Sequence, residues 1–141
     1  MKWMVLCGLL LSLFVCGTVS AGSYSYVKAD DFKSWLQDGR SMAIVDIQPG
    51  PDFQKQHFRD AIETNAYPAK TDEERKRLDK ALPRLEASRD DIVIICPRGG
   101  GGAKGAYDYL KGKGIDEKRL FILEGGMQGW PHKGVTVLGK P

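Results

Sequence analysis

Cys96 opens the one stretch of this chain whose residue types imply covalent chemistry, Cys96-Pro97-Arg98-Gly99-Gly100-Gly101-Gly102-Ala103. The stretch follows the β-branched run Ile92-Val93-Ile94-Ile95 and precedes Ala103, Ala106, Tyr107 and Leu110 at helical spacing. It reads as a buried strand passing through a glycine loop straight into a helix N-terminus. Successive glycines let the backbone curl and turn amide N–H groups inward with no side chain in the way. With the helix dipole, those donors favour an anion held over the loop. A sulfur atom there is expected as thiolate, the reactive form. The same cradle suits a terminal persulfide or the oxygens of a sulfur oxyanion.

Other readings of the glycines are weaker. Gly100-x-Gly102-x-x-Gly105 matches a dinucleotide-binding fingerprint, with Glu124 at the end of the next strand. Only 17 residues follow Glu124, too few for a second mononucleotide-binding half. A phosphate-binding Walker loop fails because Ala103 precedes Lys104 and Gly105 follows it, where glycine and Ser or Thr are required. A purely structural loop gains nothing from four glycines, which cost backbone entropy.

The loop has to be positioned by the rest of the chain. Ala29 to Asp38 reads as a helix stopped by Gly39, and Met42 to Ile47 as a buried strand. Pro49, Gly50 and Pro51 punctuate before a helical turn from Phe53 to Gln56, and Ala61 to Ala66 is a candidate strand. Thr71 and Glu74 have capping-box spacing, opening a charged helix towards Ser88 that Pro83 breaks or kinks. Gly112 or Gly114 ends the helix after the loop. Leu120 to Leu123 is a last strand, before a glycine-rich turn with Trp130 and Pro131. Alternating strands and helices indicate an α/β domain with a mostly parallel sheet, whose sites lie at the carboxyl ends of strands. Cys96 is at such an end.

The first 21 of the 141 residues read as an export signal: Lys2, the apolar run Val5 to Val15, and small residues at Val19-Ser20-Ala21. Cleavage after Ala21 leaves residues 22–141 as one domain, expected in the periplasm. A lipid anchor at Cys16 is the lesser alternative, because Phe14 and Val15 are bulky for such a motif, and only it would bring the protein to a membrane. Cys7 and Cys16 leave with the signal, so Cys96 is the only cysteine of the mature chain and no intramolecular disulfide forms. The loss of Lys2 lowers the net charge from +3 to +2, and no basic run interleaves with aromatics, which argues against nucleic acid.

Residues Cys96 to Leu110 resemble the active-site loop and following helix of single-domain rhodaneses. Leu123-Glu124-Gly125-Gly126-Met127-Gln128-Gly129-Trp130 is similar to that family's C-terminal signature. Ile44-Val45-Asp46-Ile47, Asp52-Phe53 and His57-Phe58 match its early strand and acidic-aromatic turn. The resemblance implies a five-stranded central sheet flanked by helices on both faces. Three positions depart from it: Gln48 stands where many members carry arginine, Gln56 where they carry glycine, and Gly101 where active sulfurtransferases carry Arg or Lys. Arg98 and Lys104 are the nearby cations that can substitute. Related phosphatases and arsenate reductases resemble a Cys-x5-Arg pattern, and the sixth residue after Cys96 is Gly102.

The expected cycle starts with attack of the Cys96 thiolate on a sulfane sulfur, as in thiosulfate, releasing sulfite. The persulfide then passes its outer sulfur to cyanide in an assay, or to a thiol acceptor. The loop backbone from Pro97 through Arg98, Gly99, Gly100 and Gly101 to Gly102 stabilises the charge, while Arg98 and Lys104 steer anions. Asp46 is a candidate supporting residue near the site. His57 is expected as a hydrogen-bonded structural residue, His132 at the surface, and Trp130 as packing beneath the loop. No metal or organic cofactor is required, and a monomer is expected. The donor is a small sulfur anion or a protein persulfide. The main alternative is a persulfide-carrying or docking module of a cell-envelope complex that does not turn over. A thiol redox sensor is a weaker third, because the mature chain has no resolving cysteine.

Overall fold

The computed structural model describes residues 23–139. The expected signal segment, with Cys7 and Cys16, lies outside the described residues. Strands β1 (Tyr26–Val27), β2 (Met42–Asp46), β4 (Ile62–Glu63), β5 (Asp91–Ile95) and β6 (Leu120–Leu123) form one parallel sheet in the order β1-β6-β5-β2-β4. Between them run helices α1 (Ala29–Gln37), α2 (Gly50–Lys55), α3 (Asp72–Lys76), α4 (Leu82–Glu86) and α5 (Gly101–Gly112). Strands β3 (His57–Phe58) and β7 (Thr136–Val137) make a separate antiparallel pair.

The β-branched run of β5 is buried on both faces because each face meets a different helical layer. Ile92, Ile94 and Cys96 point into a cluster with Leu78, Leu85, Ala103, Tyr107 and Leu110. Val93 and Ile95 point into the opposite cluster with Phe32, Phe53, Phe58 and Trp130. Each fully buried aliphatic side chain contributes about 1.5–3 kcal/mol, so the strand that carries the cysteine is among the most firmly held. Its neighbour β2 pairs with it along its whole length, ending at Asp46 opposite Ile95.

Local signals locate most of the elements, and tertiary contacts trim them. The Thr71 hydroxyl accepts from Glu74 N, and the Glu74 carboxylate accepts from Thr71 N, so the capping box forms. The helix it opens does not run on to Ser88. It breaks into α3, a 3-10 segment (Arg77–Ala81) and α4, with Pro83 in the first turn of α4, where its missing N–H costs nothing. The candidate strand 61–66 is paired only at Ile62–Glu63. Beyond it Thr64 N donates to Asp46 O and Tyr67 N to Ile47 O, so the chain crosses the end of β2 without forming a ladder.

Candidate active site

Cys96 sits where β5 ends, and the loop after it closes on its own sulfur. Gly99 adopts φ +73°, a conformation that suits glycine, and its N–H donates to Cys96 Sγ at 2.7 Å. An N–H aimed at sulfur strengthens as the sulfur gains negative charge, whether as thiolate or persulfide. The amides of Arg98, Gly100, Gly101 and Gly102 donate to no described atom. They lie in the loop and the first turn of α5, where a helix has no acceptors of its own for them. Pro97 has no N–H, so the donors of the loop begin at Arg98.

A second glycine-rich turn, after β6, holds the loop from the side. Met127 N donates to Cys96 O at 2.8 Å and Gln128 N to Pro97 O at 2.9 Å. Gly125 and Gly126 have φ +78° and +60°. Gly126 lies so close to the loop that a Cβ there would collide with the Cys96 carbonyl oxygen. Beneath this turn Trp130 packs edge-on against Phe32 and Phe58, and its Nε1 donates to His132 O. The C-terminal signature therefore positions the cysteine loop through backbone contacts.

The four loop glycines do different jobs. Gly99 supplies the left-handed turn. Gly100 and Gly101 have open space where a Cβ would be built, and neither has a positive φ. Gly102 is covered: a Cβ there would lie 2.9 Å from the ring of Tyr67. Close packing, not anion binding, requires glycine at that position.

Of the two expected cations, Arg98 is exposed and pairs with no described residue. Lys104 is turned aside, with its ammonium 5.5 Å from the centroid of the Tyr24 ring. His57 is buried, stacked on Phe53 at 4.0 Å, with Nδ1 donating to Phe53 O, which fits a structural role. His132, expected at the surface, is half-buried instead, because its Nε2 reaches Asp30 Oδ1 at 2.7 Å.

Asp46 is fully buried one strand away from Cys96. Its carboxylate accepts from Gln48 N at 2.9 Å and Gln48 Nε2 at 3.0 Å, and Gln48 Nε2 also donates to Gln56 O. These two departures from the resemblance are thus joined in one network, which also lines a cavity of about 160 Å³ beside Pro97. Burial without a cation pushes the Asp46 carboxyl up to about 7, against the lowering effect of the Gln48 donors and with some help from Glu63. A carboxyl raised on folding gives stability that is full below its unfolded value and lost as pH rises through about 7. From pH 5 to pH 8 this group is expected to cost the wild type roughly 2 kcal/mol. Urea denaturation at both pH values should show that loss, and Asp46→Asn should remove most of it.

Tyr67, Gln48, Gln56 and Gly126 are the site residues that sequence reasoning did not assign. Gln48 and Gln56 were visible as departures from the family pattern. Tyr67 gives no local signal.

The rhodanese-like domain profile matches residues 28–133, most of the chain. Among curated proteins none matches the sequence significantly. Solved structures that resemble it include a yeast protein tyrosine phosphatase of the rhodanese family, with 22% identity, covering 86% of this chain and 97% of that one at a TM-score of 0.62. A thiosulfate sulfurtransferase from Pseudomonas aeruginosa matches at 21% identity, over 83% of this chain and 20% of that one, with a TM-score of 0.62. An As-Sb reductase from Leishmania major matches at 19% identity, over 84% and 88%, with a TM-score of 0.61. Identities this low establish the fold and leave the reaction open, since the three neighbours are described by three different activities. The match over residues 28–133 reaches from α1 through the cysteine loop to the clamping turn, and on that ground the chain belongs to the rhodanese-like domain family.

Proposed function

We propose that the protein carries sulfane sulfur as a persulfide on Cys96 and transfers it to a nucleophilic acceptor. The observation that carries this reading is the Gly99 N–H aimed at Cys96 Sγ from a glycine loop that enters α5. In the forward step the thiolate attacks the sulfane sulfur of a donor such as thiosulfate; the S–S bond breaks and sulfite leaves with the electron pair. An acceptor thiolate or cyanide then attacks the outer sulfur and frees Cys96. Neither step needs an oxidant or reductant. Mass spectrometry of the protein after thiosulfate treatment tests the reading: one added sulfur on Cys96 is expected, and cyanide should discharge it. No added sulfur from any sulfane donor would refute it.

The phosphatase and reductase activities of structural neighbours fit this loop less well. The arginine of a Cys-x5-Arg loop would stand at Gly102, where the Tyr67 ring fills the space of a side chain. A carrier that docks in a larger assembly without turning over is the second reading. It is favoured by Gly101, which bears no cation, and by Lys104, which leans on Tyr24. Multiple turnovers with thiosulfate and cyanide separate enzyme from carrier.

The missing cation makes a further prediction. Arg98→Ala should raise KM for thiosulfate about threefold at low salt, with kcat changed less, because backbone donors remain. Lys104→Ala should have a smaller effect. Gly101→Arg meets open space and needs no left-handed φ, so it should lower KM for this anionic donor. Steady-state kinetics at two ionic strengths check all three; no change in KM in any variant would remove charge from the account of donor binding.

Export is part of the same proposal. N-terminal sequencing of the mature protein should begin at Gly22, whereas a lipid-modified Cys16 at the start would make it a membrane-anchored protein.

A further inference from the structure

Tyr67 stands at the loop through three separate contacts. Its N–H donates to Ile47 O at 2.8 Å, and Ile47 N donates to Ile95 O at 2.9 Å, which ties it sideways to the strand end bearing Cys96. Its ring lies on Gly102, with Cδ2 and Cε2 2.9 and 3.0 Å from where a Cβ would be. The ring also packs against the buried cluster that contains Cys96 and Ala103. Arg77 donates to Asn65 O and Arg75 Nε to Ala69 O, so the backbone is pinned on either side of it. The residue is half-buried and its hydroxyl bonds to no described atom. The loop itself offers no side chain at Gly100 or Gly101 and no ammonium from Lys104.

We infer that Tyr67 sets the donor specificity of the Cys96 site, selecting a low-molecular-weight organic persulfide, R–S–SH, over an inorganic sulfur oxyanion. The inference rests on the sulfur-transfer reading above and names its donor. An aromatic face carries partial negative charge, so it repels a dianion laid against it and attracts a hydrocarbon body. A dianion leaving water also needs cations in compensation, and the loop from Pro97 to Gly102 contributes one, the exposed Arg98. An organic persulfide brings apolar surface for the ring, and its terminal sulfur meets the loop amides. In the step itself, Cys96 S⁻ attacks the terminal sulfur of R–S–SH. A new S–S bond forms on Cys96, the old one breaks, R–S⁻ leaves with the electron pair, and the proton stays on the transferred sulfur.

The test compares second-order rate constants for sulfur uptake from thiosulfate and from glutathione persulfide, read by mass spectrometry. The wild type should prefer the persulfide. Tyr67→Leu should slow persulfide uptake about tenfold and speed thiosulfate uptake, because the repelling ring face is gone, while Tyr67→Phe, which keeps the ring, should keep the wild-type preference between the two donors. Folding is checked by circular dichroism. A mutation-free arm uses methyl and benzyl persulfides on the wild type, where stacking predicts faster uptake from the benzyl compound. A folded Tyr67→Leu with an unchanged donor ratio, equal rates for the two persulfides, or a wild type that prefers thiosulfate overturns the role of Tyr67. A wild type that takes up sulfur from neither donor overturns the sulfur-transfer reading as well.

Discussion

Cys96→Ser should abolish sulfur uptake, reducing turnover at least about a thousandfold, while the protein stays folded. A serine oxygen is a poor sulfur nucleophile and forms no persulfide, and Cys96 is the cysteine available among the described residues. The fold should tolerate the change because Ser Oγ can accept the Gly99 N–H that now meets Sγ. Some cost remains. The position is only 1% exposed, so the added hydroxyl is buried, and roughly 1 kcal/mol of stability is expected to be lost if its proton finds no acceptor. Mass spectrometry after donor treatment, with thermal unfolding alongside, separates the two effects. Wild-type activity in a folded Cys96→Ser variant would show that the loop sulfur is not the reacting atom.

Gly126→Ala should be the most damaging single methyl group near the site, although residue 126 lies outside the cysteine loop. At φ +60° an alanine is strained by about 1 kcal/mol before any contact is counted. Its Cβ would run into the Cys96 carbonyl and lie 2.6 Å from Arg98 N and 2.7 Å from Gly99 N. These neighbours are backbone atoms, so the two glycine-rich turns have to separate. We expect a loss of about 3 kcal/mol or more, a fall in Tm of at least about 10 °C, and loss of most sulfur uptake as Gly99 N leaves the sulfur. Gly101→Ala is the control. It meets nothing, and at the first position of α5 it should be neutral or slightly stabilising by helix propensity. Equal effects from the two alanines would mean that these glycines serve general flexibility and not a specific close approach.

Sequence alone determined the parts of this protein whose causes are local. The β-branched run of β5 forces a strand buried on both sides, and glycines before a helical repeat force the loop and helix start after it. The Thr71–Glu74 box needs only a three-residue spacing. The proposal of Cys96 as nucleophile follows from such neighbours. So does the parallel sheet, which the comparison with solved rhodanese-like structures bears out. Tertiary structure decided whatever depends on residues far apart in the chain. Strand β1, two residues long, exists because β6 pairs with it, and β3 because β7 does. Asp46 lacks a cation because Gln48 turns back onto it and onto Gln56. Lys104 leaves the loop for Tyr24, eighty positions earlier. Gly102 and Gly126 look alike in sequence, yet one is held to glycine by a tyrosine ring and the other by the backbone of the cysteine loop. Local rules read the conformation a residue prefers. They carry no information on which distant atom will occupy the space beside it, and at this site that space decides which residues shape the chemistry.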